Sequence, residues 1–420
     1  MLDLKLLRET PDLIRDALKR RGTPGNLEGL LTLEKSRREL ITSIEQNRQT
    51  LKQGSEQFAR EKAKEATATV PASLKQRSDD IAQQERQLRE VEAQIDHELA
   101  LVPNLPHSSV PVGDAKANQI VRAIGSKPSF SFTPKDHVAL SASRGLIDFE
   151  RAAKMTGSHF PLFTGVGARL ERALINWMLD VHTKEHGYTE ISPPFLVNRA
   201  SMFSTGQLPK FEEDMYRLKD DDLFLVPTAE VPLTNFHRDE ILEEPSLPLR
   251  YTASTPCFRR EAGSYGKETR GLVRVHQFDK VELVKFTTPD TSYDELERLV
   301  KNAETILQRL GLHYRVVCLA SGDLSFAAAK CYDLEAWAPG LNQFLEVSSC
   351  SNFETFQARR ANVRYRQAST KKTAFVHTLN GSGVALARTL ICLLETHQQA
   401  DGRLRVPEAL RPYLDGQAVL

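Results

Sequence analysis

Between Thr255 and Val284 the chain reads TPCFRREAGSYGKETRGLVRVHQFDKVELV. Arg259, Glu261, Arg274, Gln277 and Glu282 are strong hydrogen-bonding groups set among apolar residues. Arginine forks bind phosphate oxygens in pairs. Carboxylates on the same surface suit an amine. Phe278 adds a flat face on which a base can stack. A ligand carrying phosphates, a base and an ammonium would use all of these. The flanking pattern predicts two antiparallel strands, one ending at Phe258 and the other running from Leu272 to Val284. A loop bearing Gly263, Gly266 and Gly271 joins them. By itself the pattern also fits a solvated hairpin with a charged outer face.

Three further groups of residues have chemical potential. Phe224-Leu-Val-Pro-Thr-Ala-Glu230 runs from a strand through Pro227 to a helix start, where Thr228 and Glu230 can serve as caps. Asp333, Glu335 and Glu346 put carboxylates on strands near Ser348 and Ser349. Magnesium favours a few such protein oxygens completed by phosphate oxygens. His377 to Arg388 (HTLNGSGVALAR) predicts a strand, a glycine turn and a helix carrying Arg388. Glycines before a helix N-terminus let backbone approach an anion.

The elements that must position these groups follow a clear order. The chain has 420 residues, 40% hydrophobic and 26% charged, which predicts two or more globular domains. A formal net charge of +1 gives no whole-chain attraction for nucleic acid, so any RNA contact must be local. No apolar run is long enough to span a bilayer, so no membrane partner is expected. The N-terminus lacks a signal peptide's apolar segment, and Asp3, Glu9, Asp12 and Asp16 argue against a transit peptide. Cys257, Cys318, Cys331, Cys350 and Cys392 show no CxxC spacing. No zinc site or disulfide framework is expected, and a cytoplasmic location fits.

Residues 1–26 read as one short amphipathic helix with Pro11 early in it, ended by Gly22, Pro24 and Gly25. From Leu27 to Val102 glycine nearly vanishes. Leu30, Ile44, Leu51 and Phe58 share a heptad position interrupted by Arg37, and Leu33 and Leu40 share another. After Pro71, Leu74, Ile81, Leu88 and Ile95 recur every seven residues, joined by Val91 and Leu99. This predicts an antiparallel two-helix coiled coil, reaching about 50 Å at 1.5 Å per residue. Asn47 and Gly54 fall on its seam and should weaken the first helix. A linker rich in Pro, Gly and Ser then runs to about residue 135. A helix at 168–183, the strand HGYTEISPPFLV, a helix at 291–312 starting at a Thr/Ser cap, and a strand–turn–strand–helix through residue 366 complete the order.

As a whole, FRREAG followed by RGLVRVHQFDKVE resembles motif 2 of the class II aminoacyl-tRNA synthetases, in the version of the seryl-tRNA synthetase family, bacterial type. HGYTEISPPFLV, with Pro194, resembles motif 1, and the segment around Arg388 resembles motif 3. VPNLPHSSVPVG, TAE at 228–230, FLEVSSCSNFETFQARR and VPEALRPYL are similar to the seryl family as well, so the resemblance covers nearly the whole chain. Ala387 stands where the family often has glycine.

The resemblance implies an α+β fold. A class II antiparallel sheet with flanking helices forms a catalytic domain at 104–420. An N-terminal tRNA-binding domain at 1–103 carries the coiled-coil arm. It implies activation of L-serine by ATP with Mg²⁺, then transfer of serine to the 3′ end of tRNA-Ser, and of tRNA-Sec where that exists. Arg259, Glu261 and Arg388 would be catalytic. Arg259 would hold the α-phosphate and touch the serine carboxylate, Glu261 would contact the nucleotide, Phe278 would stack on adenine and Arg388 would hold the γ-phosphate. Arg260, Val275, Val347 and Ser348 would join the ATP site. Glu346 and Ser349 would ligate Mg²⁺. Thr228, Ala229, Glu230, Glu282 and Ser382 would hold serine. Motif 1 would form a homodimer interface. Arg38, Arg48 and Lys52 on the arm would contact tRNA. A ligase that loads a carrier protein and a non-catalytic RNA-tethering protein are the competing readings. The first lacks the long arm, and the second has no use for an intact Arg259, Glu261, Glu346 and Arg388 set.

Overall fold

The computed structural model describes residues 1–23, 25–64, 69–262 and 270–420. Pro24, Gly263 and Gly266 of the sequence reading lie outside these residues. The chain forms two compact units. One comprises Met1–Lys19 and Thr23–Pro103, the other Arg20–Gly22 and Asn104–Leu420.

In the first unit the N-terminal helix is two helices, α1 (Leu4–Glu9) and α2 (Pro11–Arg21). The break falls at Thr10, with φ −140° and ψ 55°, because a residue before proline is pushed out of the helical region. Pro11 then opens α2 from a first-turn position, where its missing N–H costs nothing. Helices α3 (Leu27–Lys62) and α4 (Ala72–Ala100) form the hairpin. Ile44, Ile81, Ile95 and Leu99 are buried along its seam. Helix α3 runs unbroken through Asn47 and Gly54. Asn47 Nδ2 donates to Gln84 Oε1 at 3.0 Å, and its Oδ1 accepts from Arg77 Nη1 at 2.7 Å. A Cβ on Gly54 would lie 2.6 Å from Leu74 Cδ2, so glycine admits the facing leucine. Arg37, the heptad interruption, reaches Glu92 of α4 at 3.0 Å.

The second unit is built on an eight-stranded sheet. Its strands are β1 (Gln119–Ile124), β2 (Thr189–Glu190), β3 (Leu249–Phe258), β4 (Gln277–Thr287), β5 (Tyr314–Cys318), β6 (Lys330–Ala338), β7 (Gln343–Asn352) and β8 (His377–Ala385). They lie in the order β1-β5-β6-β7-β8-β4-β3-β2. Every neighbouring pair is antiparallel except β2 and β3 at one edge. Helices α5 (Val166–Lys184), α6 (Ser292–Arg309) and α7 (Leu386–Thr396) cover one face. Alternation along β4 shows how the sheet is divided. Val281 and Leu283 join the core under these helices, while Val284 and Phe286 join a smaller cluster with Leu233 and Tyr365 on the opposite face.

Several elements differ from expectation. β1 occupies part of the predicted linker, and the Pro, Gly and Ser around it masked its short QIVRAI run. The strand expected at motif 1 is two fragments, β2 and Leu196–Asn198, in separate sheets, because Pro193 and Pro194 cannot donate to a ladder. β4 starts at Gln277 rather than Leu272, leaving Arg274 in the preceding connection. Arg259 and Glu261 likewise lie beyond the end of β3. The side chain of Thr291 does not cap α6. The predicted glycine turn is strand: β8 runs through Gly381 and Gly383 directly into α7. These glycines serve packing. A Cβ on Gly381 would lie 3.0 Å from Cys350 Sγ, and one on Gly383 would lie 2.7 Å from His182 Nε2.

Candidate active site

A cavity of about 560 Å³ opens along β4, β7 and β8. Two β-bulges shape it. Between Glu346 and Ser348 the register of β7 against β6 shifts by one residue, so Glu346 pairs with Glu335 and Ser349 with Asp333. Residues three apart on a regular strand point to opposite faces; the bulge puts Glu346 and Ser349 on the same one. A second bulge between Ser382 and Val384 sets Ser382 opposite Glu282 and Ala385 opposite Lys280. The β7–β8 ladder pairs residues 350–352 with 379–381 and stops there. Beyond that point Ser348 Oγ donates to the Ser382 carbonyl at 2.6 Å.

One end of the cavity is aromatic and cationic. The Arg259 guanidinium lies 5.2 Å from the centre of the Phe278 ring, and its Nε donates to the Pro227 carbonyl at 3.3 Å. Arg388 leaves the start of α7, donating from Nε to the Val273 carbonyl at 3.2 Å and from Nη1 to the Glu346 carbonyl at 3.0 Å. Arg274 pairs with Glu261, which holds a left-handed φ of 52°. Such a backbone is uncommon for a non-glycine residue and is a recurrent feature of functional sites. Val275 and Val347 line the same space.

The other end is acidic and closed. Thr228 Oγ1 accepts the Glu230 N–H at 3.1 Å, as a cap does, and also donates to Glu282 Oε2 at 3.1 Å. Glu230 Oε1 accepts from Gln357 Nε2 at 2.6 Å. Burial, followed by the nearby Glu282 charge, raises the Glu230 pKa to about 7. Lys280 pairs with Glu282 inside the protein, their side chains 7% and 0% exposed. Burial and the Glu346 charge push the Asp333 carboxyl well above the usual range.

Most of the expected residues therefore meet in one cavity: Thr228, Glu230, Arg259, Glu261, Val275 and Phe278 from one side, and Glu346 to Ser349, Ser382 and Arg388 from the other. Three do not line it. Ala229 is fully buried in the smaller core. Arg260 is exposed, with its N–H on the Asp214 carbonyl at 3.0 Å. Glu282 sits behind Thr228 and Lys280. Arg38, Arg48 and Lys52, in the other unit, are exposed on α3 within an arc of about 80°. Glu45 and Glu56 fall in that arc too, and Arg48 already pairs with Glu85 at 2.7 Å. The sequence reading missed Lys280 and Gln357. Alternation of Phe278, Lys280 and Glu282 could have exposed the first; nothing local pointed to the second.

Residues 210–397 match the family described as tRNA synthetase class II core domain (G, H, P, S and T), and residues 1–106 match the seryl-tRNA synthetase N-terminal domain. A serine–tRNA ligase of Desulforapulum autotrophicum is 51% identical over 100% of this chain and 99% of its own length. The solved seryl-tRNA synthetase of Pyrococcus horikoshii, complexed with ATP, superposes with a TM-score of 0.93 at 37% identity, covering 100% of this chain and 99% of the other. A cytoplasmic serine–tRNA ligase of Naegleria fowleri in complex with AMP gives 0.89 at 31% identity, covering 100% and 98%. With two family domains in this order, full-length relatives and the α+β class II sheet, the chain belongs to the seryl-tRNA synthetase family.

Proposed function

We propose that this chain joins L-serine to the 3′ end of tRNA-Ser in two steps, in the cytoplasm. The observation that carries this reading is the two-ended cavity. Its Arg259, Phe278 and Arg388 end suits a nucleoside triphosphate, and its buried carboxylate end suits a small ammonium compound. In the first step a serine carboxylate oxygen attacks the α-phosphorus of ATP. The bond to the bridging oxygen breaks, and pyrophosphate leaves with the electron pair. In the second, a ribose hydroxyl of the tRNA attacks the activated carbonyl, AMP leaves, and the hydroxyl proton is lost.

Neither step needs a protein nucleophile, so the residues act by position and charge. Phe278 stacks on the base and Glu261 contacts the nucleotide, with Arg260 contributing at its rim. Arg259 spans the α-phosphate and the serine carboxylate, and Arg388 neutralises the γ-phosphate. Glu230 and Glu282 attract the ammonium beside Thr228 and Ser382. Glu346 and Ser349, brought to one face by the bulge, would hold a magnesium ion, which would supply charge neutralisation to the phosphates.

Residues 1–103 serve tRNA binding and residues 104–420 catalysis. The acidic residues among Arg38, Arg48 and Lys52 mean that the arm reads RNA shape with a few basic contacts rather than by bulk attraction. The protein acts as a homodimer through the segment after α5, where Phe195 and Leu196 are 43% and 40% exposed. ATP–pyrophosphate exchange with each amino acid in turn, followed by charging of total tRNA, tests the reading. Exchange confined to serine supports it; exchange with another amino acid, or none, overturns it.

A further inference from the structure

Glu282 is oddly placed for a residue that must meet a substrate. Its side chain is fully buried, and Oε2 is shared by Thr228 Oγ1 and Lys280 Nζ. Oε1 is buried with no hydrogen-bond partner among the described residues. Thr228 and Lys280 line the cavity, and Glu282 does not. The ammonium of Lys280 thus occupies the position on Glu282 that an incoming ammonium would need. A desolvated carboxylate cannot stand without a cation, so in the empty site the protein supplies its own.

The strand gives this arrangement a direction. Phe278, Lys280 and Glu282 follow one another on one face of β4, about 6.8 Å apart per step. With a base on Phe278 and an ammonium on Glu282, the residue between them faces the junction of phosphate and carboxylate. Ala385, opposite Lys280 across the second bulge, leaves room beside it.

We infer that Lys280 is an internal stand-in for the substrate's ammonium. It pairs with Glu282 in the empty site, yields that carboxylate to the amino group of serine, and turns its charge onto the forming phosphate–carboxylate junction. One ammonium replaces another on Glu282, so the buried carboxylate is never left unpaired. The inference rests on serine activation as proposed above.

The test is the Lys280→Gln enzyme. Serine-dependent pyrophosphate exchange should fall about 10²-fold in kcat, while ATP affinity stays near wild type. A folded variant with wild-type kcat overturns the inference. If Lys280→Gln does not fold, Lys280→Arg decides. The broader guanidinium keeps the pair but is slow to yield, so the serine KM should rise roughly tenfold with the ATP KM unchanged. An unchanged serine KM in that variant overturns it equally. Wild-type protein that shows no serine-dependent exchange sinks the proposed function itself, whatever the variants do.

Discussion

Replacing Arg259 by alanine separates a catalytic loss from a structural one. Among the described residues its half-buried side chain makes one hydrogen bond, to Pro227, and one cation–π contact, with Phe278. Each contributes about 1 kcal/mol or less, so the fold should lose roughly 1–2 kcal/mol of a total near 5–15. In a domain of this size that lowers Tm by a few degrees. The transition state is affected more strongly. A lost charge-stabilising donor there costs about 10²–10³ in rate, or about 2.7–4 kcal/mol. The variant should therefore melt as one cooperative protein while pyrophosphate exchange at saturating serine and ATP collapses. Arg259→Lys, which keeps the charge and loses the fork, should fall between. Near-wild-type exchange by Arg259→Ala would remove Arg259 from the reaction. A collapse in Tm large enough to explain the lost rate would make its role structural.

The pH dependence follows from Glu230. Its pKa near 7 leaves it largely protonated at pH 6, so the serine KM should fall as pH rises from 6 to 8, and the Glu230→Gln enzyme should show no such slope. The same shift acts on stability: folding favours the protonated form, so Glu230's contribution is full below the ordinary value of 4.5 and is lost as pH rises through about 7. Wild-type Tm, relative to Glu230→Gln, should decline across that window. Glu282→Ala should weaken serine activation far more than ATP binding; equal losses in the two KM values would place Glu282 outside the serine subsite. Replacing residues 27–102 by a short linker should preserve the dimer and serine-dependent exchange while charging of tRNA-Ser collapses, as sizing by light scattering and charging assays would report. A monomer that still charges tRNA normally would reverse the assignment of arm and interface.

The parts of this protein legible in its sequence are those whose signal is local. Heptad spacing located α3 and α4 nearly to their ends because the seam repeats every seven residues. The cluster of Arg259, Glu261, Phe278 and Arg388 was legible from short motifs, each fixed by a strand end or a helix start. What failed depended on distant partners. β1 is a strand because Tyr314–Cys318 offers it an edge some two hundred residues later. Gly381 and Gly383 looked like a turn because the helices that crowd them, α5 and α6, are remote in sequence. Lys280 went unnoticed within the alternation of Phe278, Lys280 and Glu282, because its burial depends on the distant elements that cover both faces of β4.

The bulge at Val347 places the site in tension with the sheet that carries it. Deleting that residue would restore strict alternation and a more regular ladder between β6 and β7. It would also invert the parity of one side, turning either Glu346 or Ser349 into the helix-covered core. An algorithm or a selection rewarding only strand pairing would take that step, and so would a designer idealising the backbone. This irregularity in the sheet is thus a phase marker for the chemistry, and a stabilised version of this fold has to be engineered around it.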